Sequence, residues 1–179
     1  MTHDLPVRVL RDTLERQYRA ALAMLRDAVE RCPDALWEDP APTNAFWQVA
    51  YHTLFFTHLY LQPTEADFRP WAGHHGEVQH ADGIAGPADP TSALPLLPEP
   101  YGKAQVLAYC DHLAAGLDAA LDALDLRAAE SGFWWYRIPK LEHQLVNLRH
   151  LQHHAAQLAD RIRAATGDGV AWVSSGPGR

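Results

Sequence analysis

The stretch NLRHLQHHAAQLADRI, residues 147–162, combines a helical pattern with three histidines in five positions. Its apolar residues recur at steps of three and four, which is the period of an α-helix with one face in a hydrophobic core: Leu151, Ala155, Leu158 and Ile162. Histidine has only moderate helix propensity, so helix formation does not explain the cluster. The histidines are either surface residues or residues that bind something.

The same period, followed outward from this stretch, predicts four long helices. The fourth contains the stretch and extends from Pro139, a favoured first-turn residue, to Gly167, a favoured residue just beyond a C-terminus. The other three are predicted at about residues 4–31, 43–61 and 101–124. The second helix has Thr43 or Asn44 as its expected N-cap. It is apolar nearly all round, which indicates the most buried helix of the four.

The connection between the second and third helices, residues 62–100, differs from the rest because it holds seven of the thirteen prolines. A connection of this length can carry the chain back along the helices, so that helices two and three run in the same direction. We therefore expect an all-α fold, a single four-helix-bundle domain over residues 1–179 with a long crossover between helices two and three. The aromatic segment FWWYRIP, residues 133–139, is expected to plug the core. In the tail, residues 167–179, Trp172 and Val173 are expected to pack back on the bundle.

Composition excludes several classes of protein. The chain has 179 residues, 47% of them hydrophobic, and a net charge of −7, so we expect binding neither to nucleic acid nor to an anionic membrane. No signal peptide and no apolar run long enough to span a membrane is visible. The two cysteines, Cys32 and Cys110, lie far apart and form no CxxC motif. These features predict a reduced, cytoplasmic protein.

Three histidines of the fourth helix lie on one side of it. At about 100° per residue, His143, His150 and His154 fall within an arc of roughly 40°, with Asn147 at the edge of the same stripe. The apolar face is centred about 60–120° away, so we expect the stripe on the flank of the core, with a groove that is wet on one side. His153 points elsewhere and is expected to be in solvent.

His150 and His154 are four residues apart, a spacing that lets two imidazoles on one helix reach one metal ion. A third ligand must come from another helix, and His52 is the candidate because it shares a helical stripe with apolar residues and should face the interior. A buried neutral imidazole needs partners for its nitrogens, and a metal is one such partner. The residues alone leave two alternatives open: an HxxxH pair that arose by chance, and a hydrogen-bonded core histidine at His52.

Other motifs are weaker. The crossover contains HHGEVQH, with His74, His75, Glu77 and His80, and therefore one ExxH pair. A carboxylate di-iron bundle needs two such pairs on facing helices, so we interpret this segment as a polar, mobile loop. His58 points to a different face from His52. There is no HExxH motif, no phosphate-binding glycine loop and no Gly-x-Ser-x-Gly motif.

The segments WQVAYHTLFFTHLYL, residues 47–61, and IPKLEHQLVNLRHLQHHAAQLADRIR, residues 138–163, resemble the DinB-like superfamily of metal-dependent four-helix-bundle enzymes. That family has one histidine on the second helix and an HxxxH pair on the last, and His52, His150 and His154 match these positions. The resemblance implies a divalent metal ion, commonly zinc or nickel, held by three imidazoles. It also implies a homodimer. Better understood relatives are mycothiol-dependent maleylpyruvate isomerases and bacillithiol S-transferases.

Three neutral ligands leave a divalent ion with its full charge and an open position, which is the catalytic pattern. On the resemblance alone, we expect a metal-dependent transferase that activates a low-molecular-weight thiol and acts on a small-molecule substrate. A metal-dependent hydrolase and a non-catalytic metal- or small-molecule-binding bundle are the alternatives. A third possibility is a metal-free protein in which the three histidines are core hydrogen-bonders. His143 is a candidate general base or supporting residue, and Asn147 a candidate supporting residue; alternatively, both are the polar flank of a helix.

Overall fold

The computed structural model describes residues 6–39, 44–75, 79 and 99–178. Within these residues the secondary structure is helical and contains no strand, which confirms the all-α prediction. The helices are α1 (Val7–Arg31), α2 (Asp34–Trp37), α3 (Phe46–Tyr60), α4 (Lys103–Ala123) and α5 (Lys140–Thr166), with one turn of 3₁₀-helix at Glu65–Asp67. The four long helices are the four that the apolar period predicts. The short helix α2 and the 3₁₀ turn were not predicted.

The predicted capping residue at the end of α5 is confirmed, whereas the one predicted at the start of α3 is not. Gly167 ends α5 in the left-handed conformation, with φ of +79°, and its N–H donates to the carbonyl of Arg163 at 2.8 Å. The N-cap of α3 is Ala45, so the prediction of Asn44 is wrong, and Thr43 lies outside the described residues. The side chain of Gln48 explains the difference, because its Oε1 accepts the backbone N–H of Ala45 at 2.8 Å.

Helix α5 packs against α3 in the opposite direction. Near the end of α5, Arg161 donates to the carbonyl of Asn44, just before α3. Near the start of α5, Gln144 donates to the carbonyl of Tyr60, at the end of α3. The histidines in the middle of the two helices therefore lie at the same level.

Helices α3 and α4 run in the same direction. Ring contacts join Trp47 to Tyr101 at their beginnings and His58 to His112 further along. Helix α1 contacts both α4 and α5, and α3 contacts the same two helices. The core between the four long helices contains Leu25, Leu54, Leu117 and Leu151, each buried.

Three side chains of α5 tie it to the end of α3. Asn147 Nδ2 donates to the carbonyl of Thr57 at 3.2 Å, Gln144 Nε2 donates to that of Tyr60 at 2.8 Å, and Lys140 Nζ donates to that of Pro63 at 2.7 Å. Carbonyls at a helix C-terminus lack partners within the helix and need others. Gln144 supplies a partner for the carbonyl of Tyr60, while Thr57 also accepts the backbone N–H of Leu61 and Pro63 lies just beyond the helix. Together these bonds hold α5 against α3 next to the histidines.

The connection between α4 and α5 lies close to the same end of α3. Gly132 has φ of +85°, and a Cβ atom there would lie 2.2 Å from the carbonyl oxygen of Pro63. A side chain is therefore excluded at this position. Phe133 is buried, but Trp134 is 75% exposed and Trp135 is 37% exposed, so the expected aromatic core plug is wrong for both tryptophans. Phe133 packs in the core, and the chain turns outward after it.

The tail returns along α1. The N–H of Gly176 donates to the carbonyl of Arg16 at 2.9 Å, and Val173 is half-buried. Trp172 is 72% exposed, so the expectation that it packs on the bundle is wrong. Only glycine allows this close approach, because a Cβ atom at Gly176 would lie 2.4 Å from Arg19 Cβ.

Two further sequence features have structural counterparts. Cys32 and Cys110 are both free and buried. Among the described residues, every helix is too short or too polar to cross a membrane.

Candidate metal centre

His52 of α3 meets His150 and His154 of α5, as the sequence predicts. One ring nitrogen from each residue can be chosen so that all three lie within 4.8 Å of one another. His52 and His154 are each 6% exposed, and His150 is half-buried. Within the described part of the chain, this is the one group of three or more histidine, cysteine or acidic side chains close enough to share an ion.

Hydrogen bonds from neighbouring residues orient two of these imidazoles. Nδ1 of His52 lies 2.7 Å from the backbone carbonyl of Gln79, which can only accept, so Nδ1 carries the hydrogen and Nε2 keeps its lone pair. Nδ1 of His154 lies 2.7 Å from Oε1 of Gln157 and donates to it in the same way. Such a second hydrogen bond fixes the ring and the tautomer of a metal-binding histidine.

His150 is held in its neutral form by its surroundings. Burial, together with the neighbouring imidazoles of His154, His52 and His153, lowers the pKa of His150 to about 3. At neutral pH its ring therefore carries no proton charge. A neutral imidazole is the form that binds metals, so protons compete weakly at this position.

The positions of the nitrogens fit a shared ion. Nε2 of His52 and Nε2 of His150 are 3.0 Å apart. Two nitrogens bound to one tetrahedral zinc ion are about 3.3 Å apart, from bond lengths of roughly 2.0–2.1 Å. Without an ion the contact is an N–H···N hydrogen bond, in which His150 donates because His52 Nε2 is unprotonated. His150 Nδ1 is then buried with no hydrogen-bond partner among the described residues. A donor set of three imidazoles suits zinc, nickel, copper or iron.

Phe56 forms an apolar wall beside the three histidines. Its ring centroid lies 4.8 Å from that of His52 and 6.0 Å from that of His150. His153, next in sequence to the cluster, is exposed as predicted. The arrangement is therefore apolar on the Phe56 side and polar toward His153.

His74 and His75 of the crossover do not join the cluster. Nδ1 of His74 is hydrogen-bonded to the hydroxyl of Tyr51 at 2.6 Å, and the ring of His75 stacks on Tyr101 at 4.2 Å. The interpretation of this segment as a polar, mobile loop is wrong for these two residues, because both are fixed by aromatic rings. Glu77 and His80 lie outside the described residues.

His143 and Asn147 are fully buried, so the prediction of a wet flank is wrong for both. The ring of His143 packs among Tyr60, Phe133 and Tyr136 at centroid distances of 4.9, 4.8 and 5.1 Å. Burial, together with the charge of the Lys140 ammonium, lowers the pKa of His143 to about 4. A projection of one helix misses this burial because it does not show where the neighbouring helix lies.

Two supporting groups were missed at the sequence level. The carbonyl of Gln79 reaches His52 across a connection whose path no local pattern specifies. Gln157 lies three residues after His154, a spacing at which side chains on one helix meet, so this contact had a signal in the sequence.

Comparison with known proteins agrees with the resemblance. A model of the DinB superfamily matches residues 17–158 of the chain, a span that includes α3, most of α5 and all three clustered histidines. No curated protein and no solved structure matches the chain.

Proposed function

The chain belongs to the DinB superfamily, and from this membership we propose that it is a metal-dependent enzyme in which His52, His150 and His154 bind one divalent ion, zinc or nickel. The observation that carries the proposal is the convergence of three ring nitrogens within 4.8 Å on two antiparallel helices. The oriented tautomers of His52 and His154 and the neutral form of His150 support it.

A bound ion would supply positive charge and an open coordination position, where the pKa of a thiol or water falls. The protein's own contribution is to hold the ligands and shape the surroundings. Gln79 and Gln157 keep the lone pairs of two imidazoles directed at one point. Phe56 excludes water from one side of that point.

We propose that the reaction is the transfer of a low-molecular-weight thiol to a small electrophilic substrate, because the resembling enzymes use such thiols. A thiolate is the reactive form of a thiol, and a site that lowers the thiol pKa favours it. We further propose a cytoplasmic homodimer of single-domain, four-helix-bundle subunits with a crossover between α3 and α4. The parallel direction of α3 and α4 supports the crossover.

For His143 and Asn147 we propose positioning roles. Asn147 precedes His150 by less than one turn and donates to α3 at Thr57, so it holds the two ligand-bearing helices together. His143 lies behind it, enclosed by aromatic rings. Neither side chain has a described contact with the three clustered histidines, which argues against direct contact with a substrate.

A thiol-consumption assay tests the proposal. Protein reconstituted with zinc or nickel is incubated with mycothiol, bacillithiol or cysteine and an electrophile such as monochlorobimane. We expect metal-dependent consumption that is lost in His150→Ala and retained in His153→Ala, the matched control for an exposed imidazole on the same helix. Thiol transfer that survives metal removal would contradict the proposal. Ester or amide hydrolysis without thiol transfer would favour the hydrolase, and metal binding without either activity would favour the non-catalytic bundle.

A further inference from the structure

Four buried side-chain atoms between α3 and α5 have no hydrogen-bond partner within the described residues. They are both ring nitrogens of His143, Oδ1 of Asn147 and Oγ1 of Thr57. The three residues are completely buried. Buried polar atoms in native proteins nearly always have a partner in the protein or in ordered water. We propose that His143, Asn147 and Thr57 form an internal hydration site that holds one or two ordered water molecules.

The three residues lie in adjacent layers of the same helix contact. Asn147 Nδ2 donates to the carbonyl of Thr57 at 3.2 Å, which places these two residues against each other. His143 lies one turn before Asn147 on α5 and packs against Tyr60, three residues after Thr57 on α3, with ring centroids 4.9 Å apart. The unpartnered atoms therefore belong to neighbouring positions of one buried contact.

Water has the chemistry that these atoms require. A neutral imidazole has one donor and one acceptor on different edges of the ring, the amide oxygen accepts, and the hydroxyl does both. An occupant must therefore donate and accept, and a buried water with two to four polar partners does so. The nearest cationic group, Lys140, donates to the carbonyls of Gln62 and Pro63. With no acidic group among the three residues and a single imidazole, the site has too few ligands for a metal ion.

The proposed hydration site lies next to the candidate metal centre. Asn147 lies three residues before His150, so water at this level would bridge α3 and α5 directly behind the ligand-bearing turn. The hydration site exists with or without a bound metal, because none of its atoms belongs to the three clustered histidines.

Water-selective nuclear Overhauser spectroscopy of the full chain tests the proposal. We expect cross-peaks between water and the ring protons of His143 in the wild type. Thr57→Val removes the hydroxyl with little change in shape and should reduce these peaks at least twofold. Thr53→Val is the matched control, because Thr53 is equally buried on α3 but its hydroxyl donates to the carbonyl of Val49 at 2.6 Å. Its peaks should match those of the wild type.

Absence of the water cross-peaks in the wild type would overturn the proposal whether or not the variants fold. Peaks of equal strength in Thr57→Val would likewise overturn it.

Discussion

Acidification from about pH 7.5 to about pH 5 should destabilise the metal-free protein through His58 and His143. Burial lowers the pKa of His58 to about 4, with a contribution from His112, and burial likewise lowers the pKa of His143 to about 4, with a contribution from Lys140. In the unfolded chain a histidine has a pKa of about 6.5. Between these values the unfolded chain binds more protons. The stabilisation is therefore present above about pH 6.5 and is lost as the pH falls toward about 4.

The size of the effect follows from the two pKa values. At about pH 5 the unfolded chain has gained most of one proton at each position while the folded chain has gained almost none, and each pK unit corresponds to about 1.4 kcal/mol. Acidification to about pH 5 therefore lowers the free energy of unfolding by about 2 kcal/mol for each histidine. A protein of this kind typically has a total free energy of unfolding of roughly 5–15 kcal/mol. For His58 the loss of about 2 kcal/mol is an upper value, because its side chain is only half-buried and solvent screens part of the shift.

Urea denaturation of the wild type, His58→Gln and His143→Gln in the presence of a chelator measures this effect. The free energy of unfolding at about pH 7.5 is compared with that at about pH 5 for each protein. Each variant should lose up to about 2 kcal/mol less than the wild type over this interval. If His143→Gln loses as much stability as the wild type, the imidazole of His143 is not protected from protons in the folded chain, which contradicts the prediction.

Three further predictions concern the fold and the supporting residues. Gly132→Ala should lower the free energy of unfolding by about 2 kcal/mol or more, because the new Cβ meets a backbone carbonyl. Gly116→Ala, at an exposed position of α4, should instead raise the free energy of unfolding by about 0.5–1 kcal/mol. Equal effects of the two substitutions in urea denaturation would contradict this. Lys140→Met should cost about 1–3 kcal/mol by removing the donor at the end of α3, and an unchanged midpoint would show that water replaces it. Gln157→Leu should weaken zinc affinity about 10–100-fold by freeing the ring of His154, as measured by competition with a chelating dye, and unaltered affinity would exclude this supporting role.

The four long helices and the pair of His150 and His154 could be predicted because each depends on a periodic pattern within one segment. The apolar steps along residues 147–162 define α5, and the spacing of His150 and His154 places both imidazoles on one side of it. His52 could be added because a histidine on an apolar stripe must face other helices. Joining His52 to the pair on α5 requires the relative position of two helices, and this came from the resemblance to the DinB-like superfamily.

The remaining features depend on that relative position. His143 and Asn147 share the stripe with the clustered histidines but are completely buried, because the end of α3 covers the first turns of α5. The carbonyl of Gln79 could not be identified, since any residue type carries one. Trp134 is a large aromatic residue like Phe133, yet the turn of the backbone after Gly132 directs Trp134 to solvent.

The most direct test of the three-histidine centre is elemental analysis of untagged protein purified without a nickel column. The wild type, the double variant His150→Ala/His154→Ala and the exposed control His153→Ala are compared side by side. The wild type and the control should each contain about one equivalent of a divalent metal, and the double variant should contain none. Two results would contradict metal binding by the three histidines. One is a wild type without metal even after reconstitution with zinc or nickel, and the other is equal metal content in the double variant.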